Sequence, residues 1–277
     1  MKPIGVFDSG LGGLTVLREL IESFPNEDFI YLGDTARLPY GTKSPSTIRK
    51  YSEQNIRFLA GQNVKAIIVA CNSASTQISE DEWQGLPIYR VIEPGAAQAL
   101  KKTQTLRVGV LGTRATVNSQ AYVKALKLKN PAVEVFQQPC PLFVPLAEEG
   151  WDQDPITNLI AFRYLQPLLQ AQIDTLILGC THYPLLKNSI ARVTGSAIEL
   201  VDSGRAIAEI LQQEFDSGRI ERTNHGGSAG DGGAVAGGDK TRLRVFTTDS
   251  SDHFKTLVDR ILDGYNLDIQ FEVCQTI

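Results

Sequence analysis

The constraint that weighs most on this chain is an alternation sustained almost from end to end. Short apolar runs rich in β-branched residues are separated by longer amphipathic stretches. Such runs suit strands buried on both faces, and helical connections between them keep successive strands parallel. The pattern therefore predicts an α/β fold with mainly parallel sheets. The predicted strands are Pro3 to Phe7, Phe29 to Gly33, Ala66 to Ala70 and Ile88 to Ile92. A second set begins at Arg107 ("RVGVLG"), Val133 ("VEVFQ"), Thr175 ("TLILG") and Ala197 ("AIELV"). Among the helices between them, one is expected to open with Ser44 as N-cap and Pro45 in the first turn.

The two sets look like copies. "IGVFDSG" from Ile4 matches "VGVLGTR" from Val108, and in each set a later strand runs into a cysteine: "VKAIIVACNSAST" ends its run at Cys71, "IDTLILGCTHYP" at Cys180. The intervals from Asp8 to Cys71 and from Gly112 to Cys180 are nearly equal. A chain of 277 residues is long enough for two cores, so two similar lobes with a cleft between them are expected. The first is discontinuous, residues 1–94 plus 207–277, and the second is residues 95–206. "RLRVFTT" and "DHFKTLVDRIL" return to the first lobe. The stretch before them, "HGGSAGDGGAVAGGDK" at 225–240, has too few apolar residues to pack and is read as a mobile insertion.

Composition removes several function classes. A net charge of −4 gives no electrostatic footprint for nucleic acid. No segment approaches the apolar length of a membrane span, and the N-terminus lacks the apolar core of a signal peptide, so a cytoplasmic protein is expected. Cys71, Cys140, Cys180 and Cys274 are too widely spaced for a zinc ribbon or CxxC redox motif, and are expected to be free thiols. No metal site is predicted.

In open α/β sheets, ligands bind beyond the carboxyl ends of the strands. Asp8, Ser9, Cys71, Asn72, Ser73, Thr113, Cys180, Thr181 and His182 all fall there. A cysteine at such a place can be a small core residue, but two at matching places, each trailed by hydroxyl or amide side chains, point to function. Each thiol is expected at the start of a helix, where the dipole favours thiolate. The turn "DSGLGGLTV" lacks both the third small residue of a dinucleotide fingerprint and the lysine of a P-loop. Asp8 instead suits an ammonium group, orients a thiol, or merely caps the turn. Tyr40, before Gly41, either closes over a ligand or anchors its loop. Glu148 is either the equivalent acidic group of the second lobe or a surface carboxylate. His182 is the one histidine near the candidate site, because His225 and His253 lie in or after the glycine-rich stretch.

Together, "FDSGLGGLTV", "YGTKS", "ACNSAS" and "LGCTHYPLL" resemble the glutamate racemases of the aspartate/glutamate racemase superfamily. The motifs occur in order from the N-terminus to about Ser203, and "GCTHYP" is the most specific. The resemblance implies a cofactor-independent isomerase that acts on glutamate, with Cys71 and Cys180 as paired bases assisted by Asp8, Glu148 and His182. It implies substrate contacts from Asp8, Ser9, Tyr40, Gly41, Asn72, Ser73, Thr181 and His182; Thr113 joins them as a hydroxyl donor at its strand end. It also implies a homodimer and a supply of D-glutamate for peptidoglycan. Ser73 departs from the usual threonine, keeping the hydroxyl but losing the methyl that restricts its rotamer.

Removing an α-proton from one face and returning one to the other is most directly done with a base on each face, which accounts for two strand-end thiols. The resemblance assigns D-glutamate to Cys71 and L-glutamate to Cys180. Three rivals remain at this level. An aspartate or other amino-acid racemase of the same superfamily would share the site. A cysteine hydrolase using Cys180 and His182 leaves Cys71 idle. A two-lobed amino-acid binding protein explains neither thiol.

Overall fold

The computed structural model describes residues 2–223, 240–249 and 252–274. Within them, strands form two sheets, each with helices on its faces. The first contains β1 (Ile4–Asp8), β2 (Phe29–Gly33), β3 (Ala66–Val69), β4 (Glu82–Trp83) and β5 (Leu86–Arg90). The second contains β6 (Arg107–Gly112), β7 (Glu134–Pro139), β8 (Thr175–Gly179) and β9 (Glu199–Asp202). The chain then returns to the first sheet with β10 (Thr241–Thr247) and β11 (Leu267–Val273), giving the orders β11-β10-β2-β1-β3-β5-β4 and β7-β6-β8-β9. Every pairing is parallel except the short β4–β5 ladder.

The internal repeat is visible in these orders. β2-β1-β3-β5 and β7-β6-β8-β9 have the same topology, so β3 and β8 occupy equivalent places beside a central first strand. Cys71 and Cys180 follow those two strands. The strands are fully buried runs such as Ala66–Val69 and Thr175–Gly179, because helices cover both faces.

Some boundaries differ from the sequence reading. The run beginning at Ile88 starts earlier, at Leu86, and ends at Arg90; Ile92 opens the helix Ile92–Lys102, whose Ile92, Ala96 and Ala99 pack in the second lobe's core. Helix Ser203–Asp216 sends Ile207, Leu211 and Phe215 into the first lobe's core. These two helices carry the chain across and back. The edge strand β11 was not predicted, since its largely exposed face weakens the apolar pattern. Ser44 does cap helix Pro45–Gly61, its hydroxyl accepting from Thr47 N at 3.3 Å.

Residues 225–239 of the predicted insertion lie outside the described residues, as does the His253 side chain. Among the described residues, no helix is long and apolar enough to cross a membrane.

Candidate active site

The carboxyl ends of β1 and β3 in one lobe and of β6 and β8 in the other converge. Asp8 closes β1 with its side chain fully buried. Its Oδ1 accepts from Gly10 N at 3.0 Å, which is the turn cap, and its Oδ2 accepts from Thr181 Oγ1 at 3.2 Å, which reaches across to the loop carrying Cys180. Thr15, which the sequence reading passed over, donates to the Thr181 carbonyl at 2.8 Å. Gly12 faces the same loop, and a Cβ there would overlap Thr181 Oγ1 and the His182 ring. The glycine-rich turn is thus an inter-lobe contact rather than a phosphate cradle.

Cys71 heads the single helical turn Asn72–Ser75, and its thiol lies 3.6 Å from Ser9 Oγ. Burial and then the Asp8 carboxylate push this thiol well above its ordinary range, against weaker help from the Ala74 and Ser9 hydrogen bonds. The expected lowering by a helix start is therefore reversed here. One turn of helix carries little dipole, and a neighbouring negative charge opposes thiolate directly.

Cys180 does not sit at the start of a regular helix. The chain runs from it into a 3-10 turn, Tyr183–Leu186, with Pro184 near its start, before the helix Lys187–Thr194 begins. A histidine stands where a dipole was expected: His182 Nδ1 is 3.9 Å from Cys180 Sγ, and Nε2 is 3.0 Å from Glu148 Oε1. Burial alone would drive the proton off this ring. The hydrogen bonds to Cys180 and Glu148 outweigh it and hold the imidazolium up to about 10. Glu148 ends the helix Phe143–Glu148 after β7, 34 residues before its partner, so only the fold brings the two together.

Asn72 is buried and spends its amide N–H groups on Tyr122 OH at 2.9 Å and Ser203 Oγ at 3.1 Å. Its Oδ1 is buried with no partner. An orphaned buried acceptor costs about 1–3 kcal/mol, and this one belongs to the residue that follows the strand-end thiol Cys71. Ser73 Oγ is 2.9 Å from Thr113 Oγ1, and Thr116 Oγ1 is 3.1 Å from the same Thr113 oxygen. This hydroxyl cluster spans both lobes, and Thr113 also caps helix Arg114–Ser119.

Tyr40 takes the anchoring alternative. Its phenol is bonded to Asp34 and receives Asn55 Nδ2 at 3.0 Å, deep in the first lobe, while Arg37 holds Asp34 at 2.7 Å. Any ligand contact from Tyr40 falls to its backbone. Gly41 beside it abuts Thr113 of the other lobe. Sequence reasoning missed Thr15, Thr116, Tyr122 and Ser203. Thr116, three residues after a capping threonine, carried a local signal; the others are long-range contacts with none. All four cysteines are free, and among the described residues no cluster of His, Cys, Asp and Glu is suited to a metal ion.

Two α/β lobes thus carry matched strand-end thiols, one beside Asp8 and Ser9 and the other beside the His182–Glu148 pair. The Asp/Glu/Hydantoin racemase family profile matches residues 4–211, and the chain belongs to that family. It is 52% identical to glutamate racemase of Geobacter metallireducens over 80% of this chain and 83% of the relative. It is 42% identical to glutamate racemase of Neisseria gonorrhoeae over 94% of this chain and 93% of the relative. The crystal structure of glutamate racemase from Francisella tularensis in complex with D-glutamate superposes with a TM-score of 0.86 at 36% identity, covering 99% of this chain and 97% of that one.

Proposed function

We propose that this isomerase interconverts L- and D-glutamate with Cys71 and Cys180 as the two bases, one on each face of the α-carbon, and with no cofactor. The observation that carries the reading is the placement of two thiols at topologically equivalent strand ends, tied together through Asp8 and Thr181. L-Glutamate gives its α-proton to Cys180 while Cys71 delivers one to the opposite face; D-glutamate runs the reverse. The carbanion-like transition state is stabilised by the substrate's own ammonium group and by fixed donors around the α-carboxylate. In this reading the hydroxyls of Ser9, Ser73, Thr113 and Thr181 serve as those donors, and Asp8 and Asn72 Oδ1 serve as acceptors for the ammonium; the contacts of these residues with one another support it.

The test is circular dichroism of L- or D-glutamate incubated with the purified protein and no additive. Loss of signal from either enantiomer supports the reading; activity that needs added pyridoxal phosphate contradicts it. Aspartate, one methylene shorter, leaves side-chain donors unpaired and is expected to react at least about 100-fold more slowly in kcat/KM. We take the reaction to be cytoplasmic, supplying D-glutamate for peptidoglycan.

We read the working unit as a homodimer. Ile156, Leu159 and Phe162 are exposed apolar side chains on helix Pro155–Gln170, Trp151 is exposed just before it, and Leu159 is 70% exposed. Sedimentation velocity should give a dimer that Leu159→Glu converts to monomer; a monomeric wild-type protein contradicts this.

A further inference from the structure

Tyr122 is the first long side chain of helix Ala121–Lys129 and is fully buried, yet it belongs to neither catalytic loop. Its ring packs against the backbone just before the second thiol, where a Cβ on Gly179 would come within 3.0 Å of Cε2. Its hydroxyl reaches the residue just after the first thiol, accepting from Asn72 Nδ2 at 2.9 Å. Ser203, the first residue of the returning helix Ser203–Asp216, accepts from the same nitrogen at 3.1 Å. A carboxamide is planar, so once both N–H groups are committed the direction of its oxygen is set. That oxygen is the buried Asn72 Oδ1 that lacks a partner.

We propose that Tyr122 and Ser203 are positioning residues that lock the Asn72 amide so that its oxygen, rather than its nitrogen, faces the substrate and accepts from the α-ammonium group. The ring also spans from Asn72 to Gly179, so the same side chain sets how the two thiol loops stand relative to each other. The inference rests on the racemase reading above and deepens it, since it assigns the ammonium an acceptor that the second lobe and the returning helix hold in place. An ammonium donor is the fitting ligand because a substrate carboxylate placed against a locked carbonyl oxygen would meet like partial charge.

Tyr122→Phe keeps the ring on Gly179 and removes only the hydroxyl. We expect the KM for both enantiomers of glutamate to rise about tenfold, the size of one neutral hydrogen bond, with kcat changed less than about threefold. Glutarate, a dicarboxylate of the same length without the ammonium group, should bind the variant as it binds the wild type. In an Asn72→Ala background, adding Tyr122→Phe should weaken D-glutamate binding no further, measured by calorimetry so that turnover is not required. Glutarate and glutamate weakened by the same factor would mean a general loosening and would overturn the assignment. So would a KM within about twofold of wild type, or an undiminished effect in the Asn72→Ala background. Wild-type racemisation, measured first, tests the racemase reading separately.

Discussion

The thiol loops of the two lobes occupy the same topological position and surround their sulfurs with opposite chemistry. Cys71 sits against a hydroxyl and near a carboxylate, and its proton is held tightly. Cys180 sits against an imidazole kept protonated to about 10 by its partners. One lobe thus stores a proton on sulfur; the other stores one on a ring beside sulfur. The two-base proposal needs one acid and one base at any moment, and it assigns that difference to this asymmetry between the lobes. Because enantiomers have equal free energy, the asymmetry divides between kcat and KM in each direction and cannot make kcat/KM differ between them.

The largest expected effect comes from removing either member of the pair. Cys71→Ala and Cys180→Ala should each lower racemisation in both directions by roughly 1,000-fold or more, since each thiol is acid one way and base the other. The survivor should still exchange the α-hydrogen of one enantiomer with solvent: L-glutamate for Cys71→Ala, D-glutamate for Cys180→Ala. Nuclear magnetic resonance of the α-hydrogen in heavy water reads this, and exchange of the same enantiomer by both variants would break the comparison between lobes.

A smaller effect sharpens the Cys180 side. Glu148→Gln removes one of the two hydrogen bonds that raise His182, so the ring should lose its proton at lower pH than the wild type's value of about 10. The alkaline limb of kcat/KM should move down, equally for both enantiomers, with neutral-pH activity reduced about tenfold. The stability linkage has the same sign. A histidine raised in the folded state contributes stability that is fully present below its unfolded pKa of about 6.5 and is lost as pH rises through about 10. Thermal unfolding of Glu148→Gln should lose that contribution at lower pH. An unmoved limb would leave His182 without a protonic role.

The smallest change is expected at Ser73→Thr. The hydroxyl already lies 2.9 Å from Thr113 Oγ1, so an added methyl fixes a rotamer that packing has selected. Steady-state assays should give kcat/KM within about threefold of wild type, and a loss beyond tenfold would mean that the hydroxyl cluster has no room for the methyl.

Much of this arrangement was legible in the sequence because it is written locally. A strand ending in a cysteine, followed by small polar residues, places Cys71, Asn72, Cys180 and His182 at a cleft by strand geometry alone. What escaped was long-range. Nothing near Tyr122 or Ser203 in the chain announces Asn72, and the burial of the Tyr40 phenol against Asp34 depends on Asn55 in a later helix. The environment of Cys71 escaped for an energetic reason: the local pattern showed a helix start, whereas burial and Asp8 decide the thiol.

The central claim is that two thiols work on opposite faces, and the isotopic content of early product tests it most directly. In heavy water a donating thiol exchanges its proton with solvent before it acts, while the proton just abstracted remains on the opposite cysteine. Product isolated at low conversion from unlabelled L- or D-glutamate should carry deuterium at the α-carbon, and the remaining substrate should carry almost none. Early product that keeps its original α-hydrogen would mean that one base serves both faces, and would contradict the account.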